Sequence, residues 1–318
     1  MYDAHLRPAD TFAADPIEME PSRSRGADWL VLIFLALIWG SSFILMKRGL
    51  FHNGVPVLTP FQLASARLSI AWLALSPILF KHFALIRTHW RPLLGAGLLG
   101  NGIPAFLFAF AQTRIDSSLS GMLNSLTPLM TLLAGAFLFG MHFKPIHVFG
   151  VLLGLGGAAA LIMLKHDAAM PSWSFFALLP VIGTLCYGIN GNIIKNHLYS
   201  IPPTAISALA MTFVGPICIF LAIASGLPRT LSEHPHGWSS FGHVVVLAVF
   251  GSAFALILWN VLLKRTTALW ASSVTYLMPI VAIGWGIFDH ESITWAQIGM
   301  IALVLGGVYL VSVAERRK

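Results

Sequence analysis

Charge is scarce in this chain. Only 10% of its 318 residues are Asp, Glu, Lys or Arg, while 57% are hydrophobic. A soluble protein carries roughly a quarter of its residues as those four types. The shortage excludes a water-soluble enzyme or a DNA-binding protein and leaves a polytopic membrane protein. Acids are scarcer still inside the apolar runs. Six of the twelve (Asp3, Asp10, Asp15, Glu18, Glu20, Asp28) lie in the first 28 residues, and the rest (Asp116, Asp167, Glu233, Asp289, Glu291, Glu315) fall at run ends or in loops. No carboxylate is placed to load and unload a proton inside the membrane, which disfavours carboxylate-driven antiport. Cys186 and Cys218 lie in apolar runs, form no disulfide framework and read as packed thiols. The histidines, including His234 with His236 and His142 with His147, lack completing ligands, so no metal and no cofactor is expected. The G-x-S-x-G, H-E-x-x-H and P-loop patterns are absent, which argues against an enzyme.

What is present is a series of ten apolar runs bounded by Pro, Gly and charge, near 29–50, 60–80, 93–113, 117–140, 145–164, 173–196, 204–226, 241–264, 269–288 and 293–313. Each is about the 20 residues that a membrane-spanning helix needs. They are apolar on all faces rather than alternating, unlike barrel strands. The expected fold is an all-α membrane protein of ten transmembrane helices, preceded by a disordered cytoplasmic tail over 1–28 that lacks the pattern of a secretory signal. With the N-terminus inside, thirteen Lys and Arg fall on the inner side and five (Lys47, Arg48, Arg114, Lys165, Arg229) on the outer. That bias places both termini in the cytoplasm of a multi-pass inner-membrane protein, and it assigns the net charge of +7 to loops rather than to nucleic-acid binding.

The chain also repeats itself. Trp39-Gly40-Ser41-Ser42 with Lys47 answers to Tyr187-Gly188-Ile189-Asn190 with Lys195 at an offset of 148. Gly100-Asn101, Arg114 and Pro128 answer to Gly251-Ser252, Arg265 and Pro279 at 151, and Gly150 and Gly157 to Gly299 and Gly306 at 149. The unit is five helices, over 29–165 and again over 174–315. Five is odd, so the second copy enters the membrane from the opposite side. Two inverted five-helix repeats around a central cavity imply a transporter working by alternating access on a small-molecule substrate.

Neutral polar and aromatic residues recur on matching faces of the two repeats. Gly121, Asn124, Ser125 and Pro128 share one helical face, and Ser272, Thr275, Tyr276 and Pro279 share another at the same steps. Trp39, Ser42 and Phe43 do so in the first run, Tyr187, Asn190 and Gly191 in the sixth, and Ser252 with Trp259 matches Asn101 with Phe108. Singly, such residues are interhelical glue; repeated, they mark a cavity lining. The candidate substrate-binding set is Trp39, Ser42, Arg67, Asn101, Asn124, Tyr187, Asn190, Ser252, Trp259 and Tyr276, with Pro128 and Pro279 as hinge candidates. Arg67 is the one charge within a run and has two readings: a cavity cation for a substrate carboxylate, or a side chain that snorkels to the outer interface or bonds backbone carbonyls. Gly150, Gly154, Gly156 and Gly157, with Gly306 and Gly307, mark close helix packing, either within one chain or across a homodimer.

The motif Trp39-Gly40-Ser41-Ser42-Phe43, the segments Leu126-Thr127-Pro128 and Leu277-Met278-Pro279, Glu291 in the following turn and the glycines Gly299, Gly306 and Gly307 resemble EamA-type transporters of the drug/metabolite transporter superfamily. The resemblance spans about 29–314 and departs at His142, which stands where the first repeat would carry the turn acid. It implies an exporter of amino acids, aromatic ones among them, or of other metabolites. Multidrug or nucleotide-sugar/triose-phosphate carriage is the alternative within the superfamily, and a channel is the alternative outside it.

Overall fold

The computed structural model describes residues 25–141, 144–164 and 172–316 of the chain; residues 1–24 and His142 lie outside the described residues. Among the described residues, eight helices are long and apolar enough to cross a membrane: Gly26–Leu50 (α1), Pro60–His82 (α2), Leu85–Ala111 (α3), Ser117–Phe139 (α4), Phe175–His197 (α6), Pro203–Ala224 (α7), Gly237–Arg265 (α8) and Ala268–Phe288 (α9). Two further apolar helices are Pro145–Leu164 (α5) and Trp295–Arg316 (α10). The first turn of α1 takes in residues expected in the tail, and Asp28 there meets Arg265 at the end of α8, 3.4 Å away. α3 begins at Leu85 rather than near 93, because its polar opening turns, with Arg87 and Arg91, continue the helix across a kink at His89. A short antiparallel ribbon pairs Phe51 with Pro56 and His52 with Val55. Asn53 and Gly54, at φ of 50° and 80°, form its turn, the Asn-Gly signal of a tight hairpin.

Local sequence explains how the helices start and where they are interrupted. Thr59 caps α2 by accepting from Gln62 N, Gln62 Oε1 accepts from Thr59 N, and Pro60 fills the first turn, where its missing N–H costs nothing. α4 breaks at Ser125 and Leu126, and Pro128 lies in the first turn after the break. Proline at that position frees the Asn124 carbonyl, and the Thr127 hydroxyl donates to it at 2.7 Å. In α9 a 3₁₀ turn over Ser273–Tyr276 precedes Pro279 in the same way. The hinge candidates thus stand at real interruptions. α3 and α8 each contain a wide π turn, at Leu98–Gly102 and Leu247–Phe254, a feature frequent at functional positions.

Close backbone approach, permitted by glycine, holds the helices together. A Cβ on Gly307 of α10 would lie 2.5 Å from Gly150 O and 2.6 Å from Gly154 N of α5. The stripe that could have served a homodimer is therefore occupied within one chain at these three residues. A Cβ on Gly40 would lie 2.5 Å from Val281 Cβ, one on Gly121 2.5 Å from Ala282 Cβ, and one on Gly188 2.6 Å from the Thr131 N of α4.

The two ends of the bundle differ. Asp28 and Lys47 are about 30 Å apart along α1 at 1.5 Å per residue. At the Lys47 end, Lys47 Nζ donates to Asp289 at 2.6 Å and to Glu291 Oε1 at 2.9 Å. Glu291 Oε1 also accepts from Ser117 N at 3.1 Å and Ser117 Oγ at 2.7 Å, and Oε2 accepts from Ser118 N at 3.0 Å. The carboxylate caps the N-terminus of α4, where backbone N–H groups and the helix dipole favour negative charge, and its side chain is 2% exposed. Burial pushes the Glu291 carboxyl upward, but the hydrogen bonds from Lys47, Ser118 and Ser117 and the charge of Lys47 outweigh it and hold it down at about 2, against an ordinary 4.5. Gly286 leaves the room: a Cβ there would be 2.8 Å from Glu291 Oε2.

Two outcomes follow for stability. Gly307→Ala forces a Cβ against backbone and should cost about 1–3 kcal/mol as overpacking, read as a lowered melting temperature in detergent. Gly156→Ala, facing open space, is the neutral control, and equal melting of the two variants would refute the packing account. The lowered Glu291 carboxyl contributes stability that is present above pH 4.5 and is lost as pH falls from there toward about 2. Melting curves between pH 3 and 7 should therefore slope downward below pH 4.5 in the parent chain. Glu291→Gln should flatten that slope and lower stability near neutrality by roughly 2 kcal/mol, the scale of a hydrogen bond to a charged group; an unchanged profile would sink the assignment.

Candidate functional site

Seven helices, α1, α2, α3, α4, α6, α8 and α9, converge on one cavity of about 100 Å³. Nine of the ten residues singled out from the sequence line it: Trp39, Ser42, Arg67, Asn101, Asn124, Tyr187, Asn190, Ser252 and Trp259. The tenth, Tyr276, does not. It belongs to the 3₁₀ turn of α9, whose three residues per turn rotate it off the face counted at 3.6, and its hydroxyl donates to Val308 O of α10 at 2.9 Å. Ser272 and Thr275, on the same helix, do line the cavity. So do Phe43, Met46, Phe108, Thr127 and Met278, which sequence reasoning left out of its set. Spacing could have found two of them, since Met46 follows Ser42 by four and Thr127 follows Asn124 by three.

The π turns put polar backbone and small residues at the lining. Gly251, within the α8 turn, offers its carbonyl to Trp39 Nε1 at 3.0 Å. A Cβ on Gly251 would meet Ser42 Oγ at 2.7 Å, and one on Gly100 would meet Asn190 Nδ2 at 2.6 Å. The same contact therefore occurs twice, with Ser42 and Asn190 at matching positions of the repeat. Each polar side chain reaches the interior only because a glycine faces it.

The chemistry of the lining is asymmetric. Arg67 Nε donates to Ser252 Oγ at 2.8 Å, and Ser252 is the guanidinium's hydrogen-bond partner among the described residues. Among the described residues no carboxylate lines the cavity. Snorkelling is thus not what Arg67 does here, since it reaches across to α8. Its two terminal nitrogens keep the planar fork that suits a carboxylate. Asn190 Oδ1 is buried without a hydrogen-bond partner, a costly state for an acceptor unless a ligand or water meets it. Asn124 Nδ2 contacts Met278 Sδ at 3.5 Å, a weak bond that a better acceptor would displace. Around these polar groups stand aromatic rings: Trp39 and Trp259 with centroids 5.6 Å apart, Phe43 and Phe108 5.9 Å apart, and Phe108 stacked on Tyr187 at 6.1 Å. An anionic group, a hydrogen-bond donor and a flat apolar body are what this lining can hold together.

The profile of the EamA-like transporter family matches the chain twice, over residues 28–163 and 174–313. Among similar proteins, an uncharacterized inner membrane transporter, YedA, of Escherichia coli is 26% identical over 88% of this chain and 90% of its own. A probable amino-acid metabolite efflux pump of Salmonella typhimurium is 25% identical over 89% of this chain and 94% of its own. The aromatic amino acid exporter YddG of Ancylobacter novellus is 26% identical over 67% of this chain and 72% of its own. A solved crystal structure, 20% identical, superposes with a TM-score of 0.60 over 92% of this chain and 99% of the other, which shows the fold alone. With two matched domains that take in both apolar halves of a multi-helix membrane protein, the chain belongs to the EamA-like transporter family.

Proposed function

We propose that the protein exports small metabolites, amino acids first, across the cell inner membrane by alternating access. In this reading ten helices cross the bilayer as two five-helix repeats of opposite orientation, 29–165 and 174–315, with both termini in the cytoplasm. The cavity then lies between the halves near the midplane. The Lys47 end faces outward and is closed by the Glu291 network, while the Asp28 end faces the cytoplasm.

The observation that carries the substrate is the pairing of one free guanidinium fork with no acid. Arg67 takes the carboxylate, the unpartnered Asn190 Oδ1 takes the ammonium, and the rings of Trp39, Trp259, Phe43 and Phe108 take an apolar or aromatic side chain. A cationic substrate would meet Arg67 with nothing to offset the repulsion. A phosphate ester would ask for more than one cation, and among the described residues Arg67 is the one cation that lines the cavity. The amino-acid efflux pump and aromatic amino acid exporter among the similar proteins support the same class.

The test is uptake into proteoliposomes of L-phenylalanine, L-leucine, L-arginine, phenylalaninamide, nucleosides and a cationic dye, with and without a proton gradient. Saturable transport of phenylalanine and leucine is expected, with arginine and the amide left behind. Arg67→Gln should lower transport efficiency by about 10- to 100-fold, the scale of one charge-assisted hydrogen bond, while leaving the melting profile near that of the parent. Saturable dye transport without amino-acid transport would overturn the proposal, and so would an Arg67→Gln chain that transports normally.

A further inference from the structure

The Asp28 end holds a second cavity, of about 240 Å³, that the reading above leaves without a role. It is continuous in sequence with the first along three helices. On α6, Asn190 lines the central cavity and Lys195 the second; on α4, Thr127 and Thr131 do so; on α9, Ser272 and Ala268. Each step is four or five residues, or about 6–8 Å at 1.5 Å per residue. The space is therefore a vestibule one turn from the candidate site.

Among the described residues its one charged lining residue is Lys195. Among the described residues no carboxylate pairs with Lys195; its ammonium stands 5.6 Å from the Tyr199 ring centroid, and Lys264 stands 5.5 Å from the same ring. Two like charges stand near one aromatic ring. Thr267, also in the lining, accepts from Trp270 N through Oγ1, which leaves its hydroxyl proton to donate. Lys195 and Thr267 thus line one space of mixed character, with Asn192 and Asn196 beside Leu132 and Phe139.

The other end of the molecule records what such a pair does. Lys195 is the repeat counterpart of Lys47, at an offset of 148. Lys47 and the Ser117 hydroxyl hold a carboxylate, that of Glu291, at 2.9 Å and 2.7 Å. At the matching place in the first repeat the chain carries His142 instead of an acid. Among the described residues, a carboxylate of the chain meets Lys47 and none meets Lys195, while Asp28 pairs with Arg265.

We propose that the vestibule is a second carboxylate-binding station, in which Lys195 and the Thr267 hydroxyl hold the carboxylate of a soluble substrate before it moves one helical turn inward to Arg67. The inference rests on the proposed reading of the central cavity as a carboxylate site, and its test does not depend on transport.

Asn196 lines the vestibule and is exposed. In a chain with Cys186 and Cys218 replaced by alanine, Asn196→Cys serves as the reporter. Purified in a neutral detergent, it is labelled with an anionic sulfonate thiol reagent and with a cationic ammonium one. A positive vestibule concentrates the anion, so the anionic reagent should label faster. Adding Lys195→Gln should cut that preference by about ten-fold, and Lys195→Arg should retain it. Benzoate at millimolar concentration should slow the anionic reagent only while residue 195 is cationic. Equal rates for the two reagents, a preference indifferent to Lys195→Gln, or protection by an anionic phospholipid and not by benzoate would each overturn the proposal. Failure of the amino-acid uptake panel alone would leave these labelling results standing and would count against the transport reading instead.

Discussion

Backbone-to-backbone closeness, bought with glycine, is the constraint on which the rest of this molecule depends. In a bilayer the lipid chains are as apolar as leucine, so helices gain little from hiding hydrophobic surface and must gain from contact. Gly40 against Val281, Gly121 against Ala282, Gly188 against the α4 backbone and Gly307 against α5 bring helices within reach of one another. The polar lining follows from the same closeness. Ser42 and Asn190 fit inside only because Gly251 and Gly100 face them, and Arg67 finds Ser252 only because α2 and α8 converge there.

On that frame the two kinds of buried polar group are treated differently. Glu291 is saturated, by Lys47, by Ser117 and by two backbone N–H groups. Such a buried carboxylate is a fastening, because any opening of that end leaves it uncompensated. Arg67 and Asn190 are the reverse: one keeps unused donors and the other an unused acceptor. The protein thus satisfies its polar groups fully at one place and incompletely at another.

How far the residues alone could reach is clearest at particular positions. Asn190, Ser252 and Trp259 were readable because each recurs in the other repeat beside an aromatic or a glycine, a regularity that glue contacts would not need. Arg67 was readable as a choice between readings, and its bond to Ser252 puts the guanidinium at the cavity lining rather than at the interface. Tyr276 was misplaced because a helical wheel assumes 3.6 residues per turn and α9 tightens to 3₁₀ just there. Lys47 looked like an orientation marker and Glu291 like a turn residue. Their pairing spans 244 residues, which no local periodicity reports. The hairpin over Phe51–Pro56 was missed although Asn53-Gly54 announces it, since a scan for apolar runs passes over so short an element.

The wide turns in α3 and α8 act on the helix as a one-residue insertion acts on a reading frame. After Leu98–Gly102, side chains point about 100° away from where an unbroken α-helix would aim them. Phe108 faces Phe43 and Tyr187 in the shifted frame. Removing one residue from either π turn would restore a regular helix and, without touching a lining residue, would turn everything downstream of it to address a different neighbour.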